Sequence, residues 1–169
     1  MKGYGIVFVM LSALLFGKEK LKPIRNRIKY LHSMSVALEL MRSELSGRPK
    51  VLEELCAQLE NCCRGQAALF FGALGKNLRN DDWCCFREIW SNSVLKYFAE
   101  LNNEEKQLID ELGTVLGVFE LDRQLRALDY CIDQLKSCHK KAIGEYSANR
   151  KLYIGLPCCF AAMLSVLLI

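Results

Sequence analysis

Proline occurs three times in 169 residues and the eleven glycines follow no repeat, so the chain is neither collagen-like nor of low complexity. Histidine is scarcer still, with only His32 and His139. No Gly-rich phosphate loop, nucleophile elbow or His-Glu-x-x-His pattern occurs, and no triad can be assembled around two histidines. The sequence therefore names no catalytic residue and no cofactor site, and both histidines read as packing or surface residues. No Cys-x-x-Cys occurs among nine cysteines, which removes the redox and zinc-ribbon signatures. A period-two strand pattern of useful length is also missing. At this length the chain is one domain and not a two-domain enzyme of the dehydrogenase or kinase kind.

What is present in excess is apolar side chain, 51% hydrophobic against 25% charged, with a mean hydropathy just above zero. The excess lies at the two ends. Tyr4 to Gly17 carries no charge, and Leu152 to Ile169 is a second uncharged run. As helices they extend roughly 21 and 27 Å, against a hydrocarbon core of about 30 Å. The second is long enough to span a bilayer, and the first is marginal, with Lys2 and Lys18 able to snorkel and extend it. A cleaved signal peptide is the competing reading of the first run. It is disfavoured because no small-x-small site follows Phe16 and the chain enters Lys18-Glu19-Lys20 directly. Pro157 lies near the entry of the second run, where a kink costs less.

The net charge of +4 conceals a dipolar layout. Residues 18–30 hold six bases (Lys18, Lys20, Lys22, Arg25, Arg27, Lys29) against one acid, Glu19. Residues 136–151 hold five (Lys136, Lys140, Lys141, Arg150, Lys151) against Glu145, and the stretch between has a net charge of −6. Basic residues beside a span mark its cytoplasmic side, which makes 18–151 cytoplasmic. Attraction to anionic headgroups accounts for these collars better than nucleic acid does, because they adjoin apolar runs and lack interleaved aromatics.

Between the collars the periodicity is helical. After Pro23, placed at a first turn, Ile24, Ile28, Leu31, Ser35, Leu38, Arg42 and Leu45 form a stripe with Met34 and Met41 beside it, closed by Gly47. Pro49 opens a short helix carrying Val51, Leu52, Leu55, Cys56 and Leu59. A weaker third helix covers Gln66–Leu74, with Gly65, Gly72 and Gly75 as interruptions. Asp81 and Asp82 start a fourth with Phe86, Ile89, Trp90, Val94, Tyr97 and Phe98 on one face. Asn103 caps a fifth, opened by Glu104 and Glu105, with Leu108, Ile109, Leu112, Val115 and Leu116 inward and Gly117 closing it. The sixth is the most regular: Leu121, Leu125, Leu128, Ile132, Leu135, His139, Ala142 and Tyr146 alternate steps of four and three and run on into the second apolar segment. The expectation is an all-α chain, a helical bundle of about six helices with a long antiparallel helix pair, flanked by N- and C-terminal transmembrane helices. Its divisions are a first span at 4–17, a cytoplasmic helical domain at 18–151 and a second span at 152–169.

The cysteines include three vicinal pairs, Cys62-Cys63, Cys84-Cys85 and Cys158-Cys159. Adjacent cysteines on a helix diverge and do not suit a disulfide. With an odd total on an inferred cytoplasmic side, reduced thiols acting as small hydrophobes are expected, and no metal site. Cys131, Cys138 and His139 are the nearest approach to a metal cluster, and their spacing matches no common site.

The segment Leu116-Gly117-Val118-Phe119-Glu120-Leu121-Asp122-Arg123-Gln124 resembles the Leu-Gly-x-x-Asp-x-x-x-Gln pattern of the stage III sporulation protein AB family of endospore-forming bacteria, with Glu120 in place of Asp. Gly47-Arg48-Pro49 with Leu52, Leu69-Phe70-Phe71 and Trp90 extend the resemblance over nearly the whole chain. It implies a fold like the cytoplasmic helical domain of the inner-membrane platform protein of type II secretion and type IV pilus machines. It further implies residence in the cell membrane on the mother-cell side of the forespore envelope, within a secretion-like channel complex. There the chain would be an adaptor for a secretion-type ATPase, stage III sporulation protein AA, and other channel components. No small-molecule substrate, nucleic-acid partner or covalent chemistry of its own is implied.

Within that motif Gly117 is expected to end helix five, Glu120 or Asp122 to cap helix six, and Gln124 to bond back across the turn. Leu116, Gly117, Glu120 and Gln124 are thus candidates for a structural turn or a partner contact, the two readings near even. The acids Glu104, Glu105, Asp110 and Glu111 form a candidate docking surface for a basic partner, although a solvated helix face is the more ordinary reading. The alternative function is a membrane-bound thiol or metal-binding protein using Cys131, Cys138 and His139.

Overall fold

The computed structural model describes residues 2–47, 51–80, 85–116 and 118–168, with side chains at all of these save 2–18, 154, 156–162 and 164–168. Six helices follow one another among the described residues: α1 (Lys2–Gly47), α2 (Leu52–Cys62), α3 (Gln66–Asn80), α4 (Phe86–Tyr97), α5 (Asn103–Gly113) and α6 (Leu121–Leu168). No strand occurs among them. The all-α, six-helix expectation holds.

The chain divides into two compact units, one made of 27–140 and the other of the two chain ends, 1–26 with 141–169. In the first unit the end of α1 and the start of α6 lie antiparallel. Arg42 meets Asp129, Glu39 meets Lys136 and His32 meets His139, so numbers rise along one helix as they fall along the other. The shorter helices pack in succession, α2 on α3, α3 on α4 and α4 on α5. The α1 stripe is buried at Leu31, Met34, Ser35, Leu38, Met41 and Leu45, and the α6 seam at Leu128, Ile132 and Leu135. Arg42 leaves its stripe to pair with Asp129, and Leu121, read as the first seam position, is 39% exposed.

Aromatic side chains close the core. Phe70 makes edge contacts with Phe71 and Trp90 at centroid separations of 4.9 and 5.1 Å, and Phe98 joins from the end of α4 at 5.3 Å from Phe70. Such pairs add about 0.5–1.5 kcal/mol each beyond their buried area. The buried Trp90 Nε1 donates to the Ile109 carbonyl at 2.8 Å, which fastens α4 to α5.

Five boundaries differ from the sequence expectation. α2 has Val51 as its N-cap and begins at Leu52, beyond Pro49, and α4 has Cys85 as its N-cap and begins at Phe86, beyond Asp81 and Asp82. Pro23 lies inside α1 and does not begin a new helix. Its ring removes one backbone hydrogen bond, whereas a break there exposes four N–H and four C=O groups. α3 continues to Asn80 through Gly72 and Gly75, because those two positions face α2: a Cβ on Gly75 would lie 3.4 Å from Cys56 Cβ, and one on Gly72 would overlap Glu60. α5 ends at Gly113 and its N-cap is Asn102, one residue before the expected Asn103. A Cβ on Gly113 would collide with the Trp90 indole, so close helix approach explains this glycine. Gly65 has a different role, since its φ of +68° turns the chain between α2 and α3.

Among the described residues no helix is long and apolar enough to cross a membrane. The runs at 4–17 and 152–169 lie almost wholly outside the described side chains, as does Lys18. The six-helix bundle is therefore established and the flanking spans are not. Asp81, Asp82, Cys84, Arg48, Pro49 and Gly117 also fall outside the described residues.

Candidate functional site

The link from α5 to α6 is a compact turn. Thr114 N–H bonds to the Glu111 carbonyl and Val115 N–H to Leu112, both at 3.0 Å, tightening the chain after Gly113. Leu116 is fully buried and anchors the turn. The Glu120 carbonyl accepts from Arg123 and Gln124 N–H at 3.0 and 3.1 Å, so Glu120 supplies the first carbonyl of α6. The Gln124 side chain reaches back to donate to the Phe119 carbonyl at 2.6 Å. Arg123 lies over the Phe119 ring, 3.8 Å from its centroid. Leu116, Glu120 and Gln124 thus meet in one turn, while Val118, 73% exposed, stands out from it.

The acidic group separates on inspection of its partners. Glu105 is 2% exposed and belongs to the interior, where Arg27 of α1 donates to it from its terminal nitrogen at 2.7 Å and from Nε at 3.1 Å. Its other oxygen accepts the Asn102 N–H at 3.0 Å, the capping-box bond that starts α5. Two corrections follow: Glu105 is not part of an acidic surface, and Arg27, 13% exposed, turns inward from the basic collar. The periodic stripe alone gave no signal for this pair, because the partners lie 78 residues apart. Asp110 has one buried carboxylate oxygen without a hydrogen-bond partner among the described residues. Glu104 and Glu111 remain exposed.

The other collar residues stay at the surface. Lys20, Lys22, Arg25, Lys29, Lys140, Lys141, Arg150 and Lys151 are exposed. Within the unit formed by the chain ends, Ser147, Arg150, Lys151 and Gly155 line an open hollow of about 420 Å³.

Cys131, Cys138 and His139 do not assemble into a metal site. Cys131 is buried with Sγ 3.9 Å from the Leu108 carbonyl, and His139 stacks on His32 at 5.4 Å between centroids. No group of three His, Cys, Asp or Glu side chains among the described residues is arranged to hold a metal. Burial, with Glu111 nearby, pushes the Cys131 thiol up to about 12, and burial with Glu53 does the same to Cys56. Thiols so displaced are poor nucleophiles and poor ligands. Burial and then the neighbouring His32 hold His139 below the ordinary histidine value.

A family model for stage III sporulation protein AB matches residues 2–169. The chain belongs to this family. A solved structure titled stage III sporulation protein AB shares the fold with a TM-score of 0.64 at 17% identity, covering 72% of this chain and 97% of that one. No curated protein matches the chain significantly. Family membership makes this a sporulation protein. In the structure Phe70, Phe71 and Trp90 of the resembling segments are core, Leu69 is exposed, and Leu116, Glu120 and Gln124 belong to the α5–α6 turn.

Proposed function

We propose that this member of the stage III sporulation protein AB family is a membrane-held adaptor without covalent chemistry of its own. It is held by 4–17 and 152–169 on the mother-cell side of the forespore envelope, with 18–151 on the cytoplasmic side. There it links a secretion-type ATPase, stage III sporulation protein AA, to other components of a secretion-like channel.

The observation that carries the membrane part is the charge layout. Two uncharged runs lie near the ends of the sequence, and each has a dense basic collar on its inner side. The exposure of Lys20, Lys22, Arg25, Lys29, Lys140, Lys141, Arg150 and Lys151 suits phosphate headgroups beside each apolar run. Resemblance to the secretion platform supports the adaptor part.

The test is fractionation of sporulating cells followed by crosslinking. The full chain is expected to stay with membranes through an alkaline carbonate wash and to crosslink to the ATPase. Release into the soluble fraction would overturn the anchor, and crosslinks that reach no channel component would overturn the adaptor.

A further inference from the structure

Leu108 and Val115 continue the apolar stripe of α5, yet neither is fully buried. With Leu112 they form one wall of a groove of about 150 Å³, whose other wall is Ala127 and Tyr130 of α6. Cys131 of α6, 2% exposed, also lines it, and the exposed Glu111 borders it with its carboxylate accepting from Gln107. Tyr130 is 62% exposed at this groove. That volume matches a single leucine- or methionine-sized side chain.

The surroundings are acidic. Residues 103–133, covering α5, the turn and the start of α6, hold eight acids against three bases, Lys106, Arg123 and Arg126. Arg27 and Arg42 of α1 offset two of those acids by direct pairing with Glu105 and Asp129, and an acidic excess remains. Arg123 is drawn toward Phe119 by stacking. An apolar slot inside an acidic field selects an apolar anchor flanked by positive charge.

We infer that the α5–α6 groove receives one aliphatic side chain from a basic amphipathic helix of a protein partner, with Tyr130 and Glu111 as the contacts that fix its position. The inference rests on the adaptor reading and names the surface through which that adaptor is engaged. A single anchor and a mostly polar rim make this a weak, exchangeable contact, suited to a partner that must let go.

The test places a photo-reactive benzoylphenylalanine at position 130 of the full chain in sporulating cells, with position 95 as control, since Leu95 of α4 is equally exposed at 61%. Position 130 is expected to give an adduct whose attached peptide is net basic with apolar residues at helical spacing. Ala127→Trp, which fills the slot, and Glu111→Lys, which reverses the rim, should each cut the adduct at least fivefold. Thermal melting of both purified variants checks that they fold, and Glu111→Gln, a surface change, should give an intermediate loss if Ala127→Trp does not. Four results would overturn the groove: no adduct at 130, equal adducts at 130 and 95, an adduct to an acidic peptide, or an adduct of the chain with itself. Channel components captured only at 95 would sink the groove and spare the adaptor; a basic helix from outside the channel captured at 130 would do the reverse.

Discussion

Arg27 and Glu105 form a forked pair in the interior, and the same carboxylate that holds the guanidinium of α1 also accepts the first N–H of the α5 cap. One side chain therefore ties α1 to α5 and begins a helix. Breaking such a pair from one side removes charge-assisted hydrogen bonds from a largely buried guanidinium, which costs about 1.5–3 kcal/mol. Glu105→Ala is expected to fall in that range in chemical denaturation, with a further contribution of about 1 kcal/mol from the lost cap. The double change Arg27→Met, Glu105→Leu should recover most of the loss. A double variant as unstable as Glu105→Ala would show that the cap and not the pair carries the effect.

Gly113 faces the Trp90 ring with no room for a methyl group. Gly113→Ala should destabilise the protein by about 1–3 kcal/mol, the usual range for overpacking, in spite of the better helix propensity of alanine. Trp90→Phe in the same background relieves the crowding while forfeiting the bond to the Ile109 carbonyl. Denaturation midpoints of the two single variants and the pair should be non-additive, and strict additivity would show that the residues do not meet.

His139 carries a pH dependence whose sign follows from its lowered value. The folded state binds its proton less readily than the unfolded chain, so its contribution to stability is complete above the unfolded value of about 6.5. That contribution is lost as pH falls from there through the lower folded value. Melting temperatures measured from pH 8 to pH 5 should decline on the acid side, and His139→Phe, which keeps a ring against His32, should flatten the decline. An unchanged slope in the variant would assign the acid sensitivity to other groups.

The thiols should separate by reactivity. Cys62 and Cys85 are exposed, while Cys56 and Cys131 are buried with values near 12. Brief iodoacetamide treatment at pH 8 followed by peptide mass spectrometry should label the first two and spare the second two until denaturant is added. Early labelling of Cys131 would mean that the α5–α6 groove opens far more readily than its packing indicates.

Much of this architecture was legible from periodicity, because helix faces repeat every few residues and their signals are local. The stripes at Leu31 to Leu45 and Leu128 to Leu135 and the cluster around Trp90 are where the pattern puts them. The Gln124 bond to the turn was also readable, since donor and acceptor are five residues apart. What the pattern missed depends on distant partners. Glu105 reads as a solvated first-turn acid until α1 brings Arg27 to it, and Gly72 and Gly75 read as breaks until α2 fills the space beside them. The groove was hidden for a related reason: Leu108 and Val115 have the spacing of core residues, and only the placement of α6 leaves them partly uncovered.

Trp90 is enclosed by Phe70, Phe71 and Phe86 and bonded to a backbone carbonyl of the next helix. An indole held so firmly among rings sits in a fixed asymmetric environment shielded from water. The chain thus contains an optical gauge of its own interior: in a Trp83→Phe background, near-ultraviolet dichroism and blue-shifted emission from Trp90 register loosening of the α3–α4–α5 core, even while the helices themselves persist.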